Sequence, residues 1–349
     1  MIRLSALLAA GLLCTGLASA QDSLSTPRTS PLARVSQTVG LTEMTVEYSR
    51  PAARGRVIYG GLLPYGAIWR VGANENTTIT FEHPVVIAGE TLPEGVYGIH
   101  MIPDISKWTV MFSKDSTAWG SGRYDQAKDA ARVFLKTEST PYTERLTFSF
   151  DEVDQGSTVL SMRWAELCLP IRIETATHER VLDPVREAFA NDDQNAGWQY
   201  WFQAADYGVL HDVDAAELLA WTDRSIDIYR NFTNLWMKSD LLIELGKADQ
   251  ADSVRGEALE LVTVDELDNL GRRYMRHENY ASAAAVFGMV TQANPDGWWG
   301  FDMLAGALVA AGDDAGAAKA WKQALAKGPD DASKARITAS LESLAAPAG

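Results

Sequence analysis

The chain has 349 residues, with 31 basic and 46 acidic side chains and a formal net charge of −15. That length is enough for two domains with real cores, and the acidic excess argues against nucleic acid or an anionic membrane as partner, since no basic surface stands out to offset phosphate charge. Of the two cysteines one falls in the leader described next, so no intramolecular disulfide remains and the cores must hold the fold.

Arg3 is followed by an apolar run from Leu4 to Leu17, then Ala18-Ser19-Ala20 before Gln21. This is the charged, apolar and small-residue order of a secretory signal peptide, too short for a membrane span. Leu12 and Leu13 precede Cys14, where a lipoprotein anchor needs small residues. Residues 1–20 are therefore expected to be removed, leaving an exported chain, periplasmic or extracellular, with no membrane insertion afterwards. Cys168 then stands alone in an apolar setting, as an inert buried thiol.

Residues 21–33 have the Ser/Thr/Pro composition of a flexible leader. Strand signals follow. In the stretch Leu41–Ser49, Met44, Val46 and Tyr48 alternate with Glu43, Thr45 and Glu47. The segments TTITF, GVYGIHMI, KWTVMFS, ARVFLK, ERLTFSF and STVLSMRW repeat the pattern, separated by turn clusters such as Gly60-Gly61 and Pro93-Glu94-Gly95. Many short strands of period two predict an all-β antiparallel sandwich or barrel-like domain over residues 34–170.

After Pro170 the apolar spacing becomes helical, and residues 171–345 are expected to form an all-α domain. Residues 171–349 carry 16 Lys+Arg against 29 Asp+Glu, so the acidic load lies here. A repeat closes the chain: at an offset of 34, Ala283 matches Ala317, Ala284 matches Ala318, Phe287 matches Trp321 and Pro295 matches Pro329. Small residues at helix crossings, an aromatic beside them and a proline after the second helix suit stacked helical hairpins. This resembles the tetratricopeptide repeat. Ala251, Arg255 and Ala258 fall where an earlier unit places its small, aromatic and small positions, with Arg255 departing from the aromatic. A further unit is expected through Leu218, Trp221 and Ser225. Gly246 and Gly271 either end helices or mark close helix contacts.

The first domain, with its Trp69-Arg70 pair, its Gly72-Ala73-Asn74-Glu75 turn and its Trp119-Gly120 pair, is similar over about residues 34–170 to the exported bacterial family catalogued as domain of unknown function 2911. Members of that family often carry tetratricopeptide-like repeats behind the domain. Val71 and Asn76 stand where the family usually has Thr and Ala. The resemblance implies a fold and a residue list, and no chemistry.

Those residues define the candidate ligand site: Arg50, Arg56, Tyr65, Trp69, Arg70, Asn74, Glu75 and Trp119. A guanidinium offers a planar fork of donors and stacks on rings, which suits an anionic or sugar-like ligand against an aromatic wall. The favoured reading of these residues is architectural, with Arg70 paired with Glu75 or with backbone carbonyls, Asn74 capping a turn and Gly72 supplying a backbone angle other residues resist. The five histidines lie far apart without metal-ligand spacing, and neither a metal nor a cofactor is expected. His100 reads as a wall residue of its strand. Trp298 and Trp299 form a candidate interaction surface. The favoured reading is an exported, non-catalytic interaction or scaffold protein whose repeats receive a protein or peptide, with a basic segment preferred. The alternative is a small-ligand or glycan-binding protein, or a hydrolytic enzyme, with its site around Arg70 and Glu75.

Overall fold

The structure, a computed structural model, describes residues 26–345. The signal peptide expected at residues 1–20 lies outside them. The chain divides into one unit ending at Thr177 and a second beginning at His178.

The first unit is built from strands β1 (Leu32–Val39), β2 (Thr42–Ser49), β3 (Thr78–Phe81), β4 (Val85–Ile87), β5 (Glu90–Leu92), β6 (Gly95–Ile102), β7 (Trp108–Ser113), β8 (Asp129–Leu135), β9 (Glu138–Asp151) and β10 (Ser157–Thr175). They form a six-stranded sheet in the order β1-β2-β3-β6-β7-β8 and a four-stranded sheet in the order β5-β4-β10-β9. Of the two expected forms, sandwich or barrel, the structure takes the sandwich-like one. No strand pairing among the described residues joins the sheets into a closed barrel.

The alternation of β2 places Met44, Val46 and Tyr48 in the core, where residues of both sheets meet, Ile79, Ile99 and Val110 from one and Leu160, Met162 and Ile171 from the other. Tyr48 ties the sheets directly. Its ring meets Phe148 edge-on at 4.8 Å, and its hydroxyl accepts the Phe148 backbone N–H at 2.9 Å. Leu32 and Ala33, at the end of the expected flexible leader, already belong to β1. Strand β10 runs past Pro170 to Thr175 and is bent by register shifts between Arg163 and Leu167, with Ala165 at φ 51°.

The second unit holds α1 (Thr177–Ala190), α2 (Trp198–Val209), α3 (Ala215–Ile228), α4 (Phe232–Glu244), α5 (Ala248–Leu261), α6 (Val264–Arg276), α7 (Tyr280–Ala293), α8 (Trp298–Ala310), α9 (Asp314–Ala326) and α10 (Asp331–Ala345). Local sequence sets several starts. Asp214 accepts N–H groups at the head of α3, and Asn231 with Asn234 and Thr263 with Glu266 form capping boxes on α4 and α6. The helices pack as hairpins, α2 on α3, α4 on α5, α6 on α7 and α8 on α9. This is a tetratricopeptide-like array.

The repeat register holds in space. Ala283 and Ala317 are buried at matching places, as are Phe287 and Trp321, and the indole of Trp321 donates to Asp302 at 3.0 Å. At the departing position Arg255 lies over the ring of Trp236 at 4.8 Å and donates to Asp240 at 2.9 Å, so its planar face does part of an aromatic's work. The two ambiguous glycines have different jobs. Gly246, at φ 71°, lies just past the end of α4 with open space around it. Gly271 lies inside α6, where a Cβ would stand 2.5 Å from Phe287.

Gly271→Ala should destabilise the helical unit by about 1–3 kcal/mol, because a buried ring has to move. Gly246→Ala meets only left-handed strain and should cost about 1 kcal/mol. Urea unfolding of both variants checks the order, and an equal or inverted loss would remove the close contact assigned to Gly271. Trp321→Ala should cost about 3–5 kcal/mol, and a melting curve matching wild type would place its ring outside the packing.

Candidate functional site

Between β2 and β3 the chain makes a long excursion with little regular structure, and specific contacts hold it. Arg50 donates from Nε to the Leu146 carbonyl at 2.9 Å and from Nη2 to Thr147 at 2.6 Å. Tyr59 donates its hydroxyl to the Trp164 carbonyl at 3.1 Å, and burial raises its pKa. Trp69 exchanges backbone hydrogen bonds with Met101 at 2.8 Å in both directions. Its ring stacks on Trp164 at 5.8 Å and meets Trp108 edge-on at 6.5 Å.

The candidates do not share one site. Arg50 is engaged with β9, as above. Arg56 is exposed and donates to the carbonyls of Ala53 and Ala52 at 2.9 and 2.7 Å. Tyr65 is exposed and Trp69 is buried. Asn74 reaches the Ser30 carbonyl at 3.2 Å and the Ser49 hydroxyl at 3.3 Å.

The expected Arg70–Glu75 pair is not formed. Glu75 accepts from Arg28 at 2.7 Å and from Ser49 at 3.2 Å, and its own backbone N–H, then Arg28 and Ser49, hold its carboxyl below the usual range. Arg28 sits in the stretch whose composition suggested a flexible leader, which is why its pairing was not visible in the sequence. Gly72 also differs from expectation. The left-handed angles of this corner belong to Val71 and Asn74, both at φ 59°. Gly72 instead permits close approach, since a Cβ there would lie 3.0 Å from the Ser49 carbonyl oxygen.

Two depressions flank the corner. A cleft of about 370 Å³ takes in Arg54, Arg56, Trp69, Arg70 and Trp164. A separate one takes in Arg28, Glu75 and the exposed Trp119. Arg50, Tyr65 and Asn74 line neither.

The helical unit contains a larger groove, about 520 Å³, which the sequence did not single out. It runs over the C-terminal turns of α2, α4 and α6. Val209, Leu210 and Ile243 stand exposed at its rim. Its floor is charged. Asp240 accepts from Arg255 and from the Tyr274 hydroxyl, which in turn accepts from the Trp236 indole at 2.8 Å. Burial raises the Asp240 carboxyl pKa, against the opposing pull of Tyr274, Arg273 and Arg255. Asp206 forms an ion pair with Arg273 at 3.5 Å and lies 3.4 Å from His277, without hydrogen-bond geometry, so the buried Arg273 Nε and Nη1 and its own Oδ1 have no hydrogen-bond partner. Trp298 and Trp299 lie at the head of α8, both half-buried. Trp299 packs on the cluster containing Phe287, and Trp298 on the cluster containing Trp321. Among the described residues no group of three or more His, Cys, Asp and Glu is gathered as a metal site.

Residues 30–173 match the model of the family described as Protein of unknown function (DUF2911), so the chain carries an N-terminal domain of that family, followed by its helical repeats. No curated protein matches the chain. Among solved structures, one titled "YrrB: a TPR protein with an unusual peptide-binding site" is 15% identical, covering 46% of this chain and 86% of its own, with a TM-score of 0.25. A MamA structure is 16% identical over 45% and 88%, with a TM-score of 0.28. MamA from Desulfovibrio magneticus RS-1 is 16% identical over 41% and 92%, with a TM-score of 0.22. The helical-repeat assignment rests on the hairpin packing and register of this chain itself.

His100, expected as a wall residue of its strand, lies on β6. It is 1% exposed, neither ring nitrogen has a hydrogen-bond partner, and Tyr124 lies 5.1 Å away. Burial lowers its pKa, more than Asp129 and Asp115 raise it. A histidine kept neutral in the fold stabilises it above the free value of about 6.5, and that contribution is lost as pH falls below it toward the folded value. The β-domain should therefore lose stability below about pH 6.5, with a slope approaching about 1.4 kcal/mol per pH unit. His100→Gln should flatten this limb in urea unfolding between pH 8 and about 5. An unchanged slope would assign the acid sensitivity to other groups.

Proposed function

We propose that this is an exported, non-catalytic interaction protein whose helical repeats take a peptide segment of a partner into the groove over α2, α4 and α6. One observation carries the reading: an exposed apolar rim of Val209, Leu210 and Ile243 borders a groove whose lining includes the part-exposed carboxylate of Asp206. An extended peptide offers N–H groups to that carboxylate, while its side chains cover the rim.

A basic segment suits this groove. The second unit carries most of the acidic excess, three carboxylates, Asp206, Asp240 and Glu244, line the groove against two arginines, Arg255 and Arg273, and the C-terminal turns of α2, α4 and α6 face it. The charge acts mainly by steering, so it sets the association rate and the salt dependence more than the final affinity.

The test is selection of peptides from a displayed library by the full chain lacking residues 1–20, followed by anisotropy titration of the peptides obtained. They should combine Lys or Arg with apolar residues, and binding should weaken as salt rises. Ile243→Asp and Leu210→Asp, both at exposed positions, should each weaken binding about tenfold or more without changing the melting temperature. Selected peptides that bind these variants as well as wild type would move the interaction elsewhere. Export has its own check: N-terminal sequencing of the mature chain should begin at Gln21, and an intact Met1 would overturn it.

A further inference from the structure

The cleft beside Trp69 sorts its charges in a way the rest of the chain does not. Arg54, Arg56 and Arg70 line it, and none of its lining residues is Asp or Glu. Acids outnumber bases 46 to 31 in the whole chain, so an all-cationic concavity runs against the composition. The natural counter-charge, Glu75, is held in the other depression by Arg28 and Ser49.

Arg70 is the deep member. It is half-buried, its Nε is shut off from solvent without a hydrogen-bond partner, and its guanidinium makes no ion pair among the described residues. The neighbouring arginines are placed differently. Arg56 is aimed by its bonds to the carbonyls of Ala52 and Ala53, which leave Nη1 unused, and Arg54 is exposed at the edge, with its backbone N–H on Glu144 at 3.0 Å. Beside these cations Leu62, Leu63 and the edges of Trp69 and Trp164 give an apolar wall.

The backbone makes Arg70 unable to withdraw. Trp69, its immediate neighbour, is paired with Met101 and stacked on Trp164, and Val71 on the other side is fully buried at a left-handed angle. A guanidinium fixed this way, with no counter-ion and with Nη1 and Nη2 making no hydrogen bond among the described residues, is prepared for an oxyanion, whose geometry matches the planar fork.

We propose that this cleft binds a small organic anion, a carboxylate or phosphate group on an apolar body. The head lies on Arg70 with Arg56 and Arg54 at its edge, and the body rests on Leu62, Leu63 and Trp69. This site lies in the β-domain and does not depend on the peptide groove of the helical unit.

Calorimetric titration of the full chain lacking residues 1–20 with benzoate, phenyl phosphate and neutral benzamide tests it. Binding of benzoate identifies a carboxylate head and binding of phenyl phosphate a phosphate head; either supports the site, and benzamide should not bind. Arg70→Met should weaken the bound anion about tenfold or more, the loss expected for one charged hydrogen-bonding partner. Leu62→Glu places a repelling charge at the mouth without touching Arg70 and should have the same effect, so it carries the test where Arg70→Met fails to fold. Ile243→Asp, in the other unit, should leave anion binding unchanged. Binding of neither anion, equal binding of benzamide, or anion binding indifferent to Leu62→Glu would overturn the proposal.

Discussion

The stacking of Trp69 on Trp164 is the contact on which the first unit's architecture turns. A long excursion between β2 and β3 has almost no ladder of its own, yet it must return in register to start β3. Trp69 solves this by acting as a one-residue strand against Met101 while its ring fills the space between the sheets beside Trp108 and Trp164. Deleting a large buried ring of this kind costs several kcal/mol (about 3–5) and leaves the excursion without its central tether. The bend of β10 belongs to the same device. The register shifts around Ala165 interrupt the ladder beside Trp164, whose carbonyl accepts from Tyr59 and whose indole donates to Glu144.

Once Trp69 is fixed, the residues after it have little freedom. Val71 and Asn74 both take left-handed angles, which asparagine adopts readily and a β-branched valine does not, so the strain lies at Val71. Buried contacts hold them there. Thr77 donates its hydroxyl to the Val71 carbonyl at 2.8 Å, and Gly72 lies against the Ser49 backbone. Arg70 is thus displayed by a strained corner whose cost is met by the surrounding core. That arrangement is more constrained than a surface arginine requires.

Much of the fold was legible because period carries through to burial. Met44, Val46 and Tyr48 alternate in the sequence and are buried together, and the offset that pairs Phe287 with Trp321 places both rings between hairpins. What was not legible has physical reasons. β4 and β5 are three residues each, too short for alternation to register. Arg28 looked like part of a flexible segment, and nothing in local composition reveals that it reaches Glu75 across 47 positions. The candidate list gathered residues close in sequence, whereas the fold places Arg70 and Glu75 in separate depressions. The groove of the helical unit brings Asp206, Asp240 and Arg273 from three helices, and no linear motif announces such a grouping.

Three arginines illustrate how context decides what one side chain does. All of Arg255, Arg273 and Arg70 keep a buried Nε without a partner. Arg255 is otherwise satisfied, stacked on Trp236 and bonded to Asp240, and it stands where neighbouring repeats place an aromatic, so its role is packing. Arg273 is 7% exposed and lies over Phe202 and Tyr274, with its charge balanced by Asp206 at 3.5 Å and with Asp240 also feeling it. Arg70 has neither a stacking ring nor a carboxylate, and other cations share its cleft. Burial of an unbalanced cation is unfavourable unless something of opposite charge visits it. The same side chain therefore reads as packing in the first arginine, as part of the charged groove floor in the second and as anion recognition in the third.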